Sequence, residues 1–443
     1  MRLARDRYRM LKSILTTLAG LIVVVAAAFG VYAYHSSLPP MAPSDRPTFD
    51  AATIEHGRTL VAAGYCAECH TAKGGQPFAG NFPIVTAFGT IYGSNITPDP
   101  DTGIGKWSPG AFRRALHDGV DANGRHLFPA FPFDHFTKIS DHDVDAIYAY
   151  IMTQVKPVAE VTKPTDIPFP LNIRFLQAGW SLLFVDRGRY VPDPAKSDEW
   201  NRGAYLVEGV SHCGACHTPR NSLGAEKADA KFMGANLDNW TAPAINAHSP
   251  AAVPWTATDF AQYLKTGSDR FHGVAAGPMA SVVHEGIREL PDSDVAAIAT
   301  YLGAVAGAKD VDPATLPAVK ASIAAGKPDP AYRESMGQRL YASTCASCHY
   351  NNSDSNLKAE RPDLGINSAT RLDDPANLIR VILDGVPTRE GAHGIVMPAY
   401  RKALNDEQIS AIATYLRASR TDQPAWPDLD ARVKDLRAYV GTH

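Results

Sequence analysis

Cys66-Ala-Glu-Cys69-His70, Cys213-Gly-Ala-Cys216-His217 and Cys345-Ala-Ser-Cys348-His349 are three copies of Cys-x-x-Cys-His, and they use all six cysteines of the chain. Two thiols one helical turn apart can each form a thioether with a haem vinyl group, and the next residue offers an imidazole to the iron. The spacing points to three covalently bound haem c groups. Cys66, Cys69, Cys213, Cys216, Cys345 and Cys348 are the attachment residues, and His70, His217 and His349 are the axial ligands. Zinc sites, thioredoxin-like pairs and three disulfides compete for such cysteines, but none explains a histidine after every second cysteine.

A haem that only transfers electrons has both axial positions filled, and methionine opposite histidine raises its potential. Twelve residues beyond Gly267 and Gly385, which end matching helical stretches, stand Met279 and Met397. They are expected as sixth ligands of the second and third haems. The same count from Gly119 reaches Phe131, which cannot ligate iron. His135 is the tentative sixth ligand there, ahead of His126 and Met152, and a vacant position is the alternative.

The elements that position these residues recur three times. A stretch with Gly-x-x-Leu (Gly57/Leu60, Gly203/Leu206, Gly337/Leu340) precedes each motif, and an amphipathic stretch ending in Gly119, Gly267 or Gly385 follows it. A third stretch opens with cap and first-turn residues at Ser140, Pro291 or Asn405 and carries Tyr150, Tyr301 or Tyr415 within Ala-Ile-x-x-Tyr. Helix, motif, helix, helix is thus a repeated unit, and it resembles the cytochrome c fold, in which terminal helices cross beside the haem. Core packing in that crossing is the expected role of the tyrosines.

Five basic residues among the first twelve precede a run from Ile14 to Ala33 with only two polar interruptions, long enough to cross a bilayer. An uncleaved anchor is favoured over a signal peptide, with the basic flank in the cytoplasm. The 443 residues carry 43 basic and 46 acidic side chains, so no basic stripe suggests nucleic acid. The expected fold is all-α: three tandem cytochrome c-type domains preceded by one N-terminal transmembrane helix. The divisions are anchor 1–35, tether 36–49, domain 50–155, linker 156–199, domain 200–305, linker 306–333, domain 334–422 and C-terminal tail 423–443. The 156–199 linker is too apolar around Phe175 to Phe184 for a free tether. It is expected to pack on a neighbouring domain, a partner or the membrane.

The run from Gly93 to Gly105, Trp200 to Gly209, Cys213 to Arg220 and Met397-Pro-Ala-Tyr400 resemble the triheme cytochrome c subunit of membrane-bound periplasmic dehydrogenases, over nearly all of the chain after residue 45. Pro-Ala-Phe-Pro-Phe-Asp-His, with Phe131 in place of methionine, is more similar to the branch that accompanies molybdenum hydroxylases. The resemblance implies electron transfer from a periplasmic dehydrogenase catalytic subunit to ubiquinone, on the periplasmic side of the cytoplasmic membrane. No dinucleotide fingerprint, nucleophile elbow or zincin motif suggests an enzyme. A donor subunit of a terminal oxidase and a haem peroxidase using the first haem are the alternatives.

Overall fold

The computed structural model describes residues 2–237, 239–307, 316–325, 335–349, 363–386 and 397–439. Most of the expected 306–333 linker lies outside them. Helix α1 (Arg2–Ala33) is the one helix among the described residues long and apolar enough to cross a membrane. It begins well before the apolar run, because its basic first turns also suit a helix.

The first unit begins with α2 (Ala51–Ala63), capped by Asp50, and continues into α3 (Cys66–Cys69). A hairpin of β1 (Pro83–Thr86) and β2 (Gly89–Tyr92) precedes α4 (Pro109–Asp118) and α5 (Asp141–Gln154). Helix α6 (Gln177–Phe184) lies in the linker. The second unit repeats the order with α7 (Asp198–Tyr205), α8 (Gly214–His217), β3 (Ala235–Leu237), β4 (Trp240–Ala242), α9 (Ala257–Thr266) and α10 (Asp292–Ala306). In the third are α11 (Met336–Leu340), α12 (Ala346–His349), α13 (Ala376–Asp384) and α14 (Asp406–Arg420). Ser140 and Asn405 cap their helices as expected, and Gly119 and Gly267 end theirs in the left-handed conformation, where glycine costs least.

The recurring glycine has a steric cause. A Cβ at Gly57 would lie 1.9 Å from the Ala146 carbonyl oxygen, one at Gly203 1.9 Å from that of Ala297, and one at Gly337 2.0 Å from that of Ala411. Only a residue without a side chain lets the backbones of α2 and α5, α7 and α10, and α11 and α14 approach so closely. In each crossing the tyrosine of Ala-Ile-x-x-Tyr lies beside the glycine, its Cβ 2.8–3.0 Å from the glycine's hypothetical one. Core packing is therefore what these tyrosines do.

Two of the expected connecting segments are tied to the units beside them. The 36–49 segment is extended apart from one 3-10 turn at Pro43–Asp45, and it is tied to the first unit: Leu38 N–H donates to Ala122 O at 2.8 Å and Met41 N–H to Lys106 O at 2.9 Å. Its prolines disfavour a continuous α-helix without revealing long-range backbone pairing. The 423–443 tail contains α15 (Leu429–Ala438), which buries Val433 and Leu436 on the third unit and pairs Arg432 with Asp374 at 2.9 Å. A single continuous core joins the first two units, while the third has its own.

Replacing Gly203 by alanine is expected to cost about 1–3 kcal/mol or more through overpacking, whereas Gly110→Ala, with only its own cap hydroxyl nearby, is tolerated. Denaturant unfolding of both variants checks this.

Candidate haem sites

Each motif histidine in the first two units is clamped from both sides. His70 Nδ1 donates to Ser94 O at 2.6 Å, and His217 Nδ1 to Pro243 O at 2.7 Å. Gly80 N–H donates to the His70 carbonyl and Gly234 N–H to that of His217, both at 2.7 Å. These two glycines share a φ near 85° (84° and 85°), open to glycine and strained for other residues. Ser94 and Pro243 follow the β1–β2 and β3–β4 hairpins, so the hairpins exist to aim a carbonyl at an imidazole.

A proton held on Nδ1 leaves the Nε2 lone pair open to ligate a metal, and the hydrogen bond to the carbonyl fixes the tautomer and rotation of the ring. Burial lowers the pKa of both rings against the pull of the carbonyls, which keeps them neutral. Gly93 makes room for the clamp: a Cβ there would fall 1.7 Å from the Cys69 carbonyl oxygen. Asn95 holds the loop from below, donating to Val158 O at 2.8 Å and accepting from Thr97. Burial pushes the thiols of Cys66, Cys69 and Cys213 up to about 12 and that of Cys345 to about 11. Protonated, paired thiols beside a neutral imidazole fit thioether attachment of haem c better than thiolate ligation of zinc. In the third unit Cys345, Cys348 and His349 follow α11, and Tyr341 OH donates to the His349 carbonyl at 2.8 Å.

The first two motifs lie against each other. Tyr65 and His212, which directly precede Cys66 and Cys213, both have left-handed backbones (φ 36° and 32°), and their rings approach to 4.6 Å. Tyr65 OH donates to Ser211 O at 2.9 Å. Burial, with His135 nearby, holds His212 down to about 3, hence neutral.

The register of the expected sixth ligands has a structural basis. Gly119 O accepts from Leu127 N–H at 2.7 Å and Gly267 O from Ala275 N–H at 2.8 Å, the same eight residues on. Met279 and Phe131 therefore occupy equivalent places, each four residues further and each half-buried against the shared core. Met397 exchanges backbone hydrogen bonds of 2.9 and 3.1 Å with Val386 and is half-buried against the third core.

His135, the candidate sixth ligand of the first haem, is bonded to the second unit. Its Nδ1 donates to Glu208 O at 2.9 Å and its Nε2 lies 2.7 Å from Glu226 Oε1, so both ring nitrogens are engaged with the second unit. His126 Nε2 donates to Ala33 O at 2.9 Å, tying the end of α1 to the first unit, and Met152 is buried within α5. The sequence reading missed Ser94, Pro243 and Glu226. The first two act through backbone carbonyls, which residue type does not reveal, although the repeated hairpin position was a usable signal.

Among known proteins, a family profile described as cytochrome c oxidase, cbb3-type, subunit III matches residues 52–151 and 333–416. The fructose dehydrogenase cytochrome subunit of Gluconobacter japonicus is 38% identical over 90% of this chain and 85% of its own length. The chain belongs to the cytochrome c subunits of dehydrogenase complexes. The gluconate 2-dehydrogenase cytochrome c subunit of Pantoea cypripedii is also 38% identical, over 83% of this chain and 86% of its own. A nicotinate dehydrogenase subunit of Pseudomonas putida is 43% identical over 95% of this chain, which spans only 35% of that longer relative. Members of this family are electron-carrying subunits, not catalytic ones.

Burial lowers the His135 pKa, but Glu226 and Asp134 outweigh it and hold it above the ordinary 6.5. Burial raises that of Glu226, yet His135 holds it below the ordinary 4.5. The pair's contribution is therefore lost as pH rises through the raised histidine value and as it falls through the depressed carboxylate value. Glu226→Gln should destabilise the protein by about 3 kcal/mol, most between pH 4.5 and 6.5, with the gap narrowing above. Unfolding curves across pH would show it; a constant gap would assign the loss to packing.

Proposed function

We propose that the chain is the triheme electron-transfer subunit of a membrane-bound periplasmic dehydrogenase, taking electrons from a catalytic subunit and delivering them to ubiquinone in the cytoplasmic membrane. Three tandem cytochrome c-type domains, 50–155, 200–305 and 334–422, each hold one haem c on the periplasmic side. The observation that carries this is the matched clamp on His70 and His217 beside paired cysteines. When bound, haem supplies a one-electron iron couple. The chain's own residues would hold it: Cys66, Cys69, Cys213, Cys216, Cys345 and Cys348 by thioethers, with His70, His217 and His349 as iron ligands and Met279 and Met397 as further ligands in the second and third domains. In the first domain Phe131 stands at the methionine position, and His135 would have to give up Glu226 to reach the iron. The Tyr65–His212 contact holds the first two attachment motifs side by side.

The identity to the nicotinate dehydrogenase relative, together with Phe131, favours a molybdenum hydroxylase as the catalytic partner. The oxidase-donor reading rests on the description of the matching profile, which covers only the first and third units.

Affinity purification of the tagged chain from detergent should bring down a large subunit with molybdopterin, flavin or pyrroloquinoline quinone, and the complex should reduce a soluble ubiquinone analogue when given that subunit's substrate. Recovery of a terminal oxidase without a dehydrogenase would overturn the reading.

A further inference from the structure

From Ile167 to Val185 the sequence has one charged residue, Arg174. The guanidinium of Arg174 is turned inward: it donates to His126 O at 3.0 Å and stacks 4.6 Å over the Phe128 ring. The apolar side chains around it turn outward. Phe169 is 79% exposed, Leu182 60% and Leu183 70%, and Leu171, Ile173, Phe175 and Leu176 are also exposed. A contiguous apolar face of this kind on a folded domain marks an interaction surface.

Where the face sits identifies its occupant. Phe175 packs edge-on against Phe29 of α1, with ring centroids 5.5 Å apart, and a Cβ added at Gly179 of α6 would meet the same ring at 3.7 Å. Phe29 is one turn before the end of α1 at Ala33, so the contact lies at the depth where a spanning helix would leave the hydrocarbon. The segment cannot change its position there. Trp180 Nε1 donates to Leu223 O of the second unit at 2.9 Å, while Ala33 O and Ser36 O accept from His126 and Arg114 of the first. Eight helical residues extend about 12 Å, against about 30 Å for the hydrocarbon core. Helix α6 is thus too short to span the bilayer and is held beside a helix that can.

We propose that residues 168–184 form a monotopic membrane-embedded element, lying in the headgroup and acyl boundary of the same leaflet that α1 leaves. It would sink the exposed Phe169, Leu182 and Leu183 into lipid and seat the first two units on the membrane surface. This rests on α1 being a membrane anchor, and it commits to lipid, not to a partner protein, because the apolar face is continuous with α1.

The test uses the full holoprotein in phosphatidylcholine nanodiscs. A single environment-sensitive fluorophore is placed by Leu182→Cys or Leu183→Cys, with Ile22→Cys in α1 and Lys434→Cys in α15 as references. Brominated lipids should quench labels at 22, 182 and 183, most strongly at 182 and 183 when the bromines lie near the headgroups, and iodide should reach only the label at 434. If the label at 22 is quenched by lipid while 182 and 183 are quenched by iodide alone, the proposal is wrong and the anchor stands. Labels at 182 and 183 shielded from both quenchers would mean a protein occupant and overturn it too. A label at 22 open to iodide would bring down the anchor reading and the proposal with it.

Discussion

The structure depends on a backbone-to-backbone contact made possible by a missing side chain. At Gly57, Gly203 and Gly337 the helix before each haem motif rests on a carbonyl of the helix that closes the unit, at distances no Cβ permits. That crossing fixes where the first helix ends. The chain must then turn immediately, and in the first two units the turning residues, Tyr65 and His212, accept left-handed backbones to do so. The cysteine pair and histidine follow within five residues, so the position of each attachment site is inherited from the crossing. The hairpin carbonyls of Ser94 and Pro243 then set the rotation of the imidazole.

The units are not equivalent beads on a string. The first two share one hydrophobic core, an ion pair between His135 and Glu226, and the Tyr65–His212 contact, while the third keeps a separate core sealed by α15. Its described links to the second unit are a small apolar cluster of Val253, Phe271, Val319 and Ile366 and polar contacts such as the reciprocal bonds of 2.8 Å between Asn377 and the Thr241 backbone. Apolar burial is non-directional and holds the first pair together over a wide area, whereas the third is joined by a much smaller apolar cluster and oriented by a few directional bonds.

What was legible in the sequence was local. The motifs, terminal glycines, caps at Ser140 and Asn405 and the glycine-tyrosine crossing all follow from residue type and spacing within one unit, and internal repetition made them conspicuous. What was not legible crosses units or runs through the backbone. The 36–49 segment reads as a tether because its prolines say only that it is no continuous α-helix, and its bonds to Ala122 and Lys106 are main-chain bonds. The bond between His135, read as a candidate sixth ligand, and Glu226 is not legible because the two lie 91 residues apart in different units. The helix in the 423–443 tail is not legible because its apolar face, Val433 and Leu436, is short and has no motif beside it.

The central claim is that each of the three crossings delivers a covalently held haem. The most direct measurement is the haem content of the purified chain by pyridine haemochrome absorbance, combined with mass spectrometry of the three Cys-x-x-Cys-His peptides. Three haems per chain, each peptide carrying one haem mass through two thioethers, is the predicted result; a peptide with free or disulfide-bonded cysteines, or with zinc, would contradict the account.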